Sequence, residues 1–156
     1  MRKWILCIVV LAVVPVLSFG GFGGEDVGML QPVQVVGVKI VGEEVQLLTD
    51  TGSCGIGLTV REAVTNMKET SPSSVFLDTE EYLLVEPGAE RWLSPLRDYF
   101  RPSCHVCFTA DAVDLEQAGK FLQLHEPKFT LSDYEAGQRT IPYLISEKGR
   151  LKLERP

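Results

Sequence analysis

The sequence predicts an α+β fold, a mixed β-sheet with packed helices in a single domain that follows an N-terminal signal sequence. Three observations carry this reading. Within residues 57–100, GLTVREAVTNMKETSPSSVFLDTEEYLLVEPGAERWLSPLRDYF, the apolar positions change period twice, from helical to strand-like and back. Such changes mark boundaries between packed elements. Val-rich runs joined by a short Gly-containing connection precede that stretch, and a second pair of apolar runs flanks a Gly-containing turn near the C-terminus. Both pairs read as hairpins.

Composition sets the outer bounds. A chain of 156 residues, 45% hydrophobic and 23% charged, has ordinary globular usage and the length of one domain. A domain of roughly 130 residues buries about two-thirds of its unfolded surface, enough to fold without disulfide staples. The formal net charge of −6 and the lack of a basic patch exclude nucleic acid as a partner class, because phosphate backbones are bound by clustered Lys and Arg.

Met1, Arg2 and Lys3 lead into an apolar run of fourteen residues ending at Leu17. That is signal-peptide length, short of the roughly twenty residues of a spanning helix. Ser18 and Gly20 stand at the −3 and −1 positions for cleavage after Gly20, so residues 1–20 read as a signal peptide. Left uncleaved, the run extends through Phe19 and Phe22 to about nineteen residues and becomes an anchor. Cys7 lies too early in the run to accept a lipid. Residues 21–31 form a flexible lead-in.

Strands are predicted over 32–40 and 45–51, joined by Val41, Gly42, Glu43 and Glu44. From Val33 to Val38 the first is apolar on both faces apart from Gln34, as a central strand covered on both sides would be. The glycine-rich stretch 52–57, GSCGIG, reads as a flexible connection. A Walker-type phosphate loop needs Gly-Lys-Ser/Thr to open the next helix, whereas Leu58 follows Gly57 here and no lysine comes before Lys68.

The helix at 60–69 has Thr59 as N-cap, with Glu62 placed to complete a capping box. Val60, Ala63, Val64 and Met67 make one apolar stripe along it. Apolar segments at 75–77 and 82–85 are separated by the acidic turn Asp78, Thr79, Glu80, Glu81, and the second reads as a buried strand. Over 89–100 a further helix is predicted, with Trp92, Leu93, Leu96, Tyr99 and Phe100 on the side facing the core. A strand over 104–110 follows, then a helix over 114–123. A second short helix over 131–137 has Thr130 or Ser132 near its cap. Runs at 141–145 and 151–153 close the chain as a hairpin around residues 146–150.

Cys104-His105-Val106-Cys107 is the motif with the clearest chemical content. A CxxC in an exported protein can exchange disulfides if one thiolate is stabilised, commonly at a helix N-terminus. Here the motif enters a strand, where residues three apart point to opposite faces, so the two sulfurs should diverge. A structural zinc site needs four Cys or His ligands in paired clusters. Cys54, Cys104, His105, Cys107 and His125 offer one close pair. With Cys7 removed, three cysteines remain. One disulfide, joining Cys54 to Cys104 or to Cys107, plus one free thiol suits an exported protein, and the pairing stays open.

Hydrolytic motifs are missing: the chain has no GxSxG, no HExxH and two histidines. His125 falls at a helix end, where an imidazolium is electrostatically favoured. Glu80-Glu81 and Glu43-Glu44 fall in turns and read as solvated charge. No catalytic, cofactor-binding or metal-ligating residue is assigned, no cofactor is expected, and the protein is read as not an enzyme.

Several segments taken in order resemble a known family. Val35-Val36-Gly37-Val38 and Gln46-Leu47-Leu48-Thr49 are followed by Gly57-Leu58-Thr59-Val60-Arg61-Glu62-Ala63, similar to a Gly-x-Thr-x-x-Glu-Ala helix start. Phe76-Leu77, Tyr82-Leu83-Leu84-Val85-Glu86, Leu96-Arg97-Asp98-Tyr99-Phe100-Arg101 and Ile141-Pro142-Tyr143-Leu144 with Gly149 continue the match. Together they resemble the N-terminal domain of the C subunit of spore nutrient-germinant receptors, the Ger(x)C family, in a shortened form without the lipobox cysteine. The histidine often found between the paired strand segments of that family is replaced here by Asp78 or Thr79.

The resemblance implies a non-enzymatic, exported or membrane-associated protein that acts in spore germination. Its implied partners are integral membrane receptor subunits, with the membrane surface as a further contact. It carries over no catalytic residues. The alternative from another class is an exported thiol-disulfide oxidoreductase using Cys104 and Cys107, and a third reading is a stand-alone exported structural protein.

Overall fold

The computed structural model describes residues 31–110 and 112–155. The expected signal peptide, 1–20, and the lead-in up to residue 30 lie outside the described residues. Strand β1 (Gln31–Pro32) is followed by β2 (Val35–Val41), β3 (Glu44–Thr49), β4 (Cys54–Gly57) and helix α1 (Val60–Thr70). Then come β5 (Val75–Phe76), β6 (Tyr82–Val85), α2 (Leu93–Leu96), β7 (His105–Phe108), α3 (Leu115–Leu124), α4 (Leu131–Glu135), β8 (Tyr143–Glu147) and β9 (Arg150–Glu154). The fold is α+β with a mixed sheet, as the periodicities predict.

Seven of the described strands form one sheet in the order β4-β3-β2-β6-β7-β8-β9, and β1 pairs separately with β5. Strands β2, β6, β7 and β8 run parallel, while hairpins at either end supply antiparallel neighbours. The central position expected for the first strand holds. Val36 and Val38 of β2 point into one core, Val35 points into the other, and all three are fully buried.

The sheet is covered unequally. Helices α1, α2 and α4 send Ala63, Met67, Leu93, Leu96 and Leu131 into the larger core. On the opposite face Ala118 and Leu122 of α3 pack over Val35, Leu84 and Leu144. Gly119 lets α3 come close to the sheet, since a Cβ there would lie 2.9 Å from Val35 Cγ2.

The 52–57 stretch is not a flexible connection. Cys54–Gly57 is an edge strand in register with β3, Leu47 opposite Gly55 and Val45 opposite Gly57. Its glycines permit contact rather than motion: α1 lies so close that a Cβ on Gly55 would run into the Ala63 carbonyl and sit 2.7 Å from Met67 Cβ. This is the close backbone approach that an in-strand glycine often marks. Helix α1 starts as predicted, with Thr59 Oγ1 accepting from Glu62 N at 3.2 Å. The Glu62 carboxylate reaches one residue further back than a capping box would, to Leu58 N at 3.0 Å.

The single helix expected over 89–100 is instead a 3-10 turn (Glu90–Trp92) leading into the short α2. Pro95 explains the break, because it has no amide to donate to the carbonyl four residues back. Tighter bonds take over, Arg97 N to Ser94 O at 3.3 Å and Tyr99 N to Leu96 O at 2.9 Å. The apolar side survives the change: Leu93, Leu96 and Phe100 are buried, and Trp92 and Tyr99 pack against them.

Thr130 caps α4 in a reciprocal capping box with Asp133. The closing hairpin turns on two residues, Lys148 (φ 50°) and Gly149 (φ 76°), so the strands are longer and the loop tighter than the sequence suggests. Left-handed conformation at both positions matches the twist of the flanking strands.

Candidate functional site

The starts of β6 and β7 lie side by side, with Tyr82 paired opposite His105. A cavity of about 260 Å³ opens there, lined by Glu80, Glu81, Tyr82, Arg101, His105 and Glu126 among others. Three segments bring these residues together. A 3-10 turn (Leu77–Thr79), pinned by Thr79 Oγ1 donating to Val33 O at 3.0 Å, delivers Glu80. The run-out from α2 delivers Arg101, and the residue after the α3 C-cap delivers Glu126.

Glu80 corrects the expectation of a solvated acidic pair. Glu81 is exposed, but Glu80 has no exposed surface. Its Oε1 accepts from Arg101 N at 2.9 Å, and Arg101 Nη2 donates to the Glu80 carbonyl at 2.9 Å. Oε2 is buried without a partner. Burial raises the Glu80 pKa above its ordinary value, against the lowering effect of the Arg101 amide. In a 3-10 turn side chains three apart overlie one another. Glu80 is therefore carried inward with buried Leu77, a spacing that four consecutive polar residues conceal.

His105 is the second element of the site. Its Nε2 meets Glu126 Oε1 at 3.0 Å, its ring lies 5.8 Å from that of Tyr82, and its Nδ1 is buried without a partner. The other predicted residues lie elsewhere. His125 forms the C-cap of α3 with its ring 4.6 Å from Phe121. Glu43 sits in the exposed β2–β3 turn, as expected, and Glu44 opens β3 half-buried.

The CxxC thiols diverge as strand alternation requires. Cys104 belongs to the larger core and Cys107 to the smaller, and they are 2% and 1% exposed. Burial pushes both thiols up, Cys107 to about 12 and Cys104 still higher, with nearby Glu80 adding to the effect on Cys104. Cys54, Cys104 and Cys107 are all free, so neither disulfide left open by the sequence forms. The strand order explains why. Four inter-strand steps separate β4 from β7, roughly 19 Å, and a disulfide bridges Cα atoms at most about 7 Å apart.

Among the described residues no group of three or more His, Cys, Asp or Glu is arranged to hold a metal ion. The carboxyl ends of β2, β6 and β7 border a second crevice of about 240 Å³, lined by Val38, Glu86 and Thr109 among others. Open parallel sheets commonly take ligands at such ends. Here Glu86 Oε2 already accepts from Ile40 N at 3.0 Å.

No family model, curated protein or solved structure matches this chain. Its chemistry is therefore read from the residues themselves. The cavity is lined by Glu80, Arg101 and His105 among others, with the Glu80 carboxyl itself buried and held by the Arg101 amide.

Proposed function

We propose that this chain is a non-enzymatic exported protein that docks on integral membrane subunits, in the manner implied by its resemblance to the germinant receptor C subunit. The supporting observation is the burial of Cys104 and Cys107 in two separate cores. Thiol-disulfide exchange needs an accessible thiolate, and the rival oxidoreductase reading needs those two sulfurs adjacent. None of the described helices is long and apolar enough to cross a membrane. On this reading, association with the membrane rests with residues 1–20 or with the partner subunits.

Crosslinking the full chain in sporulating cells tests this, with recovery of integral membrane proteins as the expected result. Disulfide-exchange activity that disappears in Cys104→Ser would overturn it in favour of the oxidoreductase. Expression confined to vegetative cells would remove the germination role.

A further inference from the structure

We infer that β9 is a docking edge for a second copy of this chain, the two β9 strands pairing antiparallel about a two-fold axis at Leu153. The two edges of the seven-stranded sheet are finished differently. At β4, side chains of α1 take up the outer backbone groups: Asn66 Oδ1 accepts from Ile56 N at 3.1 Å, and Thr70 Oγ1 donates to Cys54 O at 3.4 Å. Among the described residues nothing does the same at β9. The two-residue turn at Lys148 and Gly149 makes Glu147 and Arg150 the closing hydrogen-bonded pair, and the pattern alternates from there. Arg150, Lys152 and Glu154 therefore bond to β8, while the amides and carbonyls of Leu151 and Leu153 point to the open edge. Such an edge is a template for an added strand.

Charge decides which strand fits. Lys152 and Glu154 lie on the face away from α3, exposed and 2.6 Å apart. With Leu153 opposite the partner's Leu153, Lys152 falls opposite the partner's Glu154 and Glu154 opposite the partner's Lys152. Opposite charges facing each other across strands are favourable, and like charges are not. Registers that set Lys152 against itself or against Arg150 are thereby disfavoured. A lysine on an edge commonly blocks strand addition; this one admits a strand that carries a carboxylate opposite it. On the α3 face, Phe121, His125 and the half-buried Leu151 and Leu153 line a groove of about 500 Å³ beside β9. The partner's Leu153 enters there, and the partner's Arg155 lays its apolar stem along Leu151.

This inference does not rest on the docking reading. Sedimentation equilibrium of the full chain in mild detergent tests it, and the wild type should dimerise. Lys152→Glu and Glu154→Lys change exposed side chains, so both variants should fold. Each alone sets like charges opposite one another and should dimerise about tenfold more weakly. Their equimolar mixture restores opposite charges only between chains, since each chain then carries like charges at 152 and 154, and it should regain wild-type affinity. A monomeric wild type would overturn the inference, as would a mixture no tighter than its components. So would single variants that associate as tightly as the wild type, the outcome expected if residues 1–20 hold the copies together.

Discussion

Glu80 and Arg101 are joined twice: the Arg101 amide donates to Glu80 Oε1 at 2.9 Å, and the Arg101 guanidinium donates to the Glu80 carbonyl at 2.9 Å. The pair fastens the approach to β6 against the approach to β7. The next pairing along continues it, with His105 N donating to Glu81 O at 2.8 Å. Glu80→Ala leaves the Arg101 amide without its acceptor. Loss of about 1–3 kcal/mol of stability is expected in urea unfolding, and an unchanged midpoint would show that the clamp contributes nothing.

The same carboxyl gives stability a pH dependence of known sign. Burial raises its folded pKa above the ordinary 4.5. Below that ordinary value both folded and unfolded chains carry the proton. Between it and the raised folded value only the folded chain does, so stability falls as pH rises through this window, and the contribution is gone above the folded pKa. Glu80→Gln, which mimics the neutral acid, should flatten this part of the profile. Urea midpoints collected from about pH 4 to about pH 8 would read it, and parallel wild-type and variant profiles would contradict it.

Gly55 should be intolerant of any side chain. A Cβ there meets the Ala63 carbonyl and the Met67 side chain, and overpacking against helix backbone has no flexible neighbour to absorb it. Gly55→Ala should cost about 3 kcal/mol or more. Gly42→Ala is the comparison, since Gly42 has open space around it and a φ of +65°. Backbone strain alone should cost it roughly 1–2 kcal/mol. Equal losses for the two variants would count against the packing role of β4.

Thiol labelling should separate the cysteines. In a Cys7→Ser background, Cys54 is half-buried at the sheet edge and should react with an aromatic disulfide reagent in the folded state. Cys104 and Cys107 should react only once the chain unfolds. With the Cys107 thiol at about 12, its thiolate fraction at neutral pH is on the order of 10⁻⁵. Rapid labelling of two thiols in the native protein would contradict the buried arrangement.

The start of α1 depends on one side chain. Thr59→Ala removes the acceptor for Glu62 N. A loss of about 1 kcal/mol is expected, and Thr59→Ser should restore most of it in the same unfolding measurement.

Much of this molecule was legible from local pattern. Val60, Ala63, Val64 and Met67 identify α1 and its buried face, the apolar run around Val35–Val38 identifies a central strand, and alternation alone separates Cys104 from Cys107. These inferences work because helix and strand periodicities are set by the backbone within a few residues. Tertiary structure decided what depends on segments far apart in sequence. It made Gly55 and Gly57 part of a helix-packing strand, since Gly55 is explained by the Ala63 carbonyl and Met67 of the helix above it. It placed Cys54 out of reach of the other thiols, whereas the break in the 89–100 helix is local, set by Pro95. It also drew Glu80 out of a run of polar residues and beneath Arg101, 21 positions away. Periodicity reports which side of an element is apolar; only the packed neighbours determine whether a charge beside it meets water or a partner.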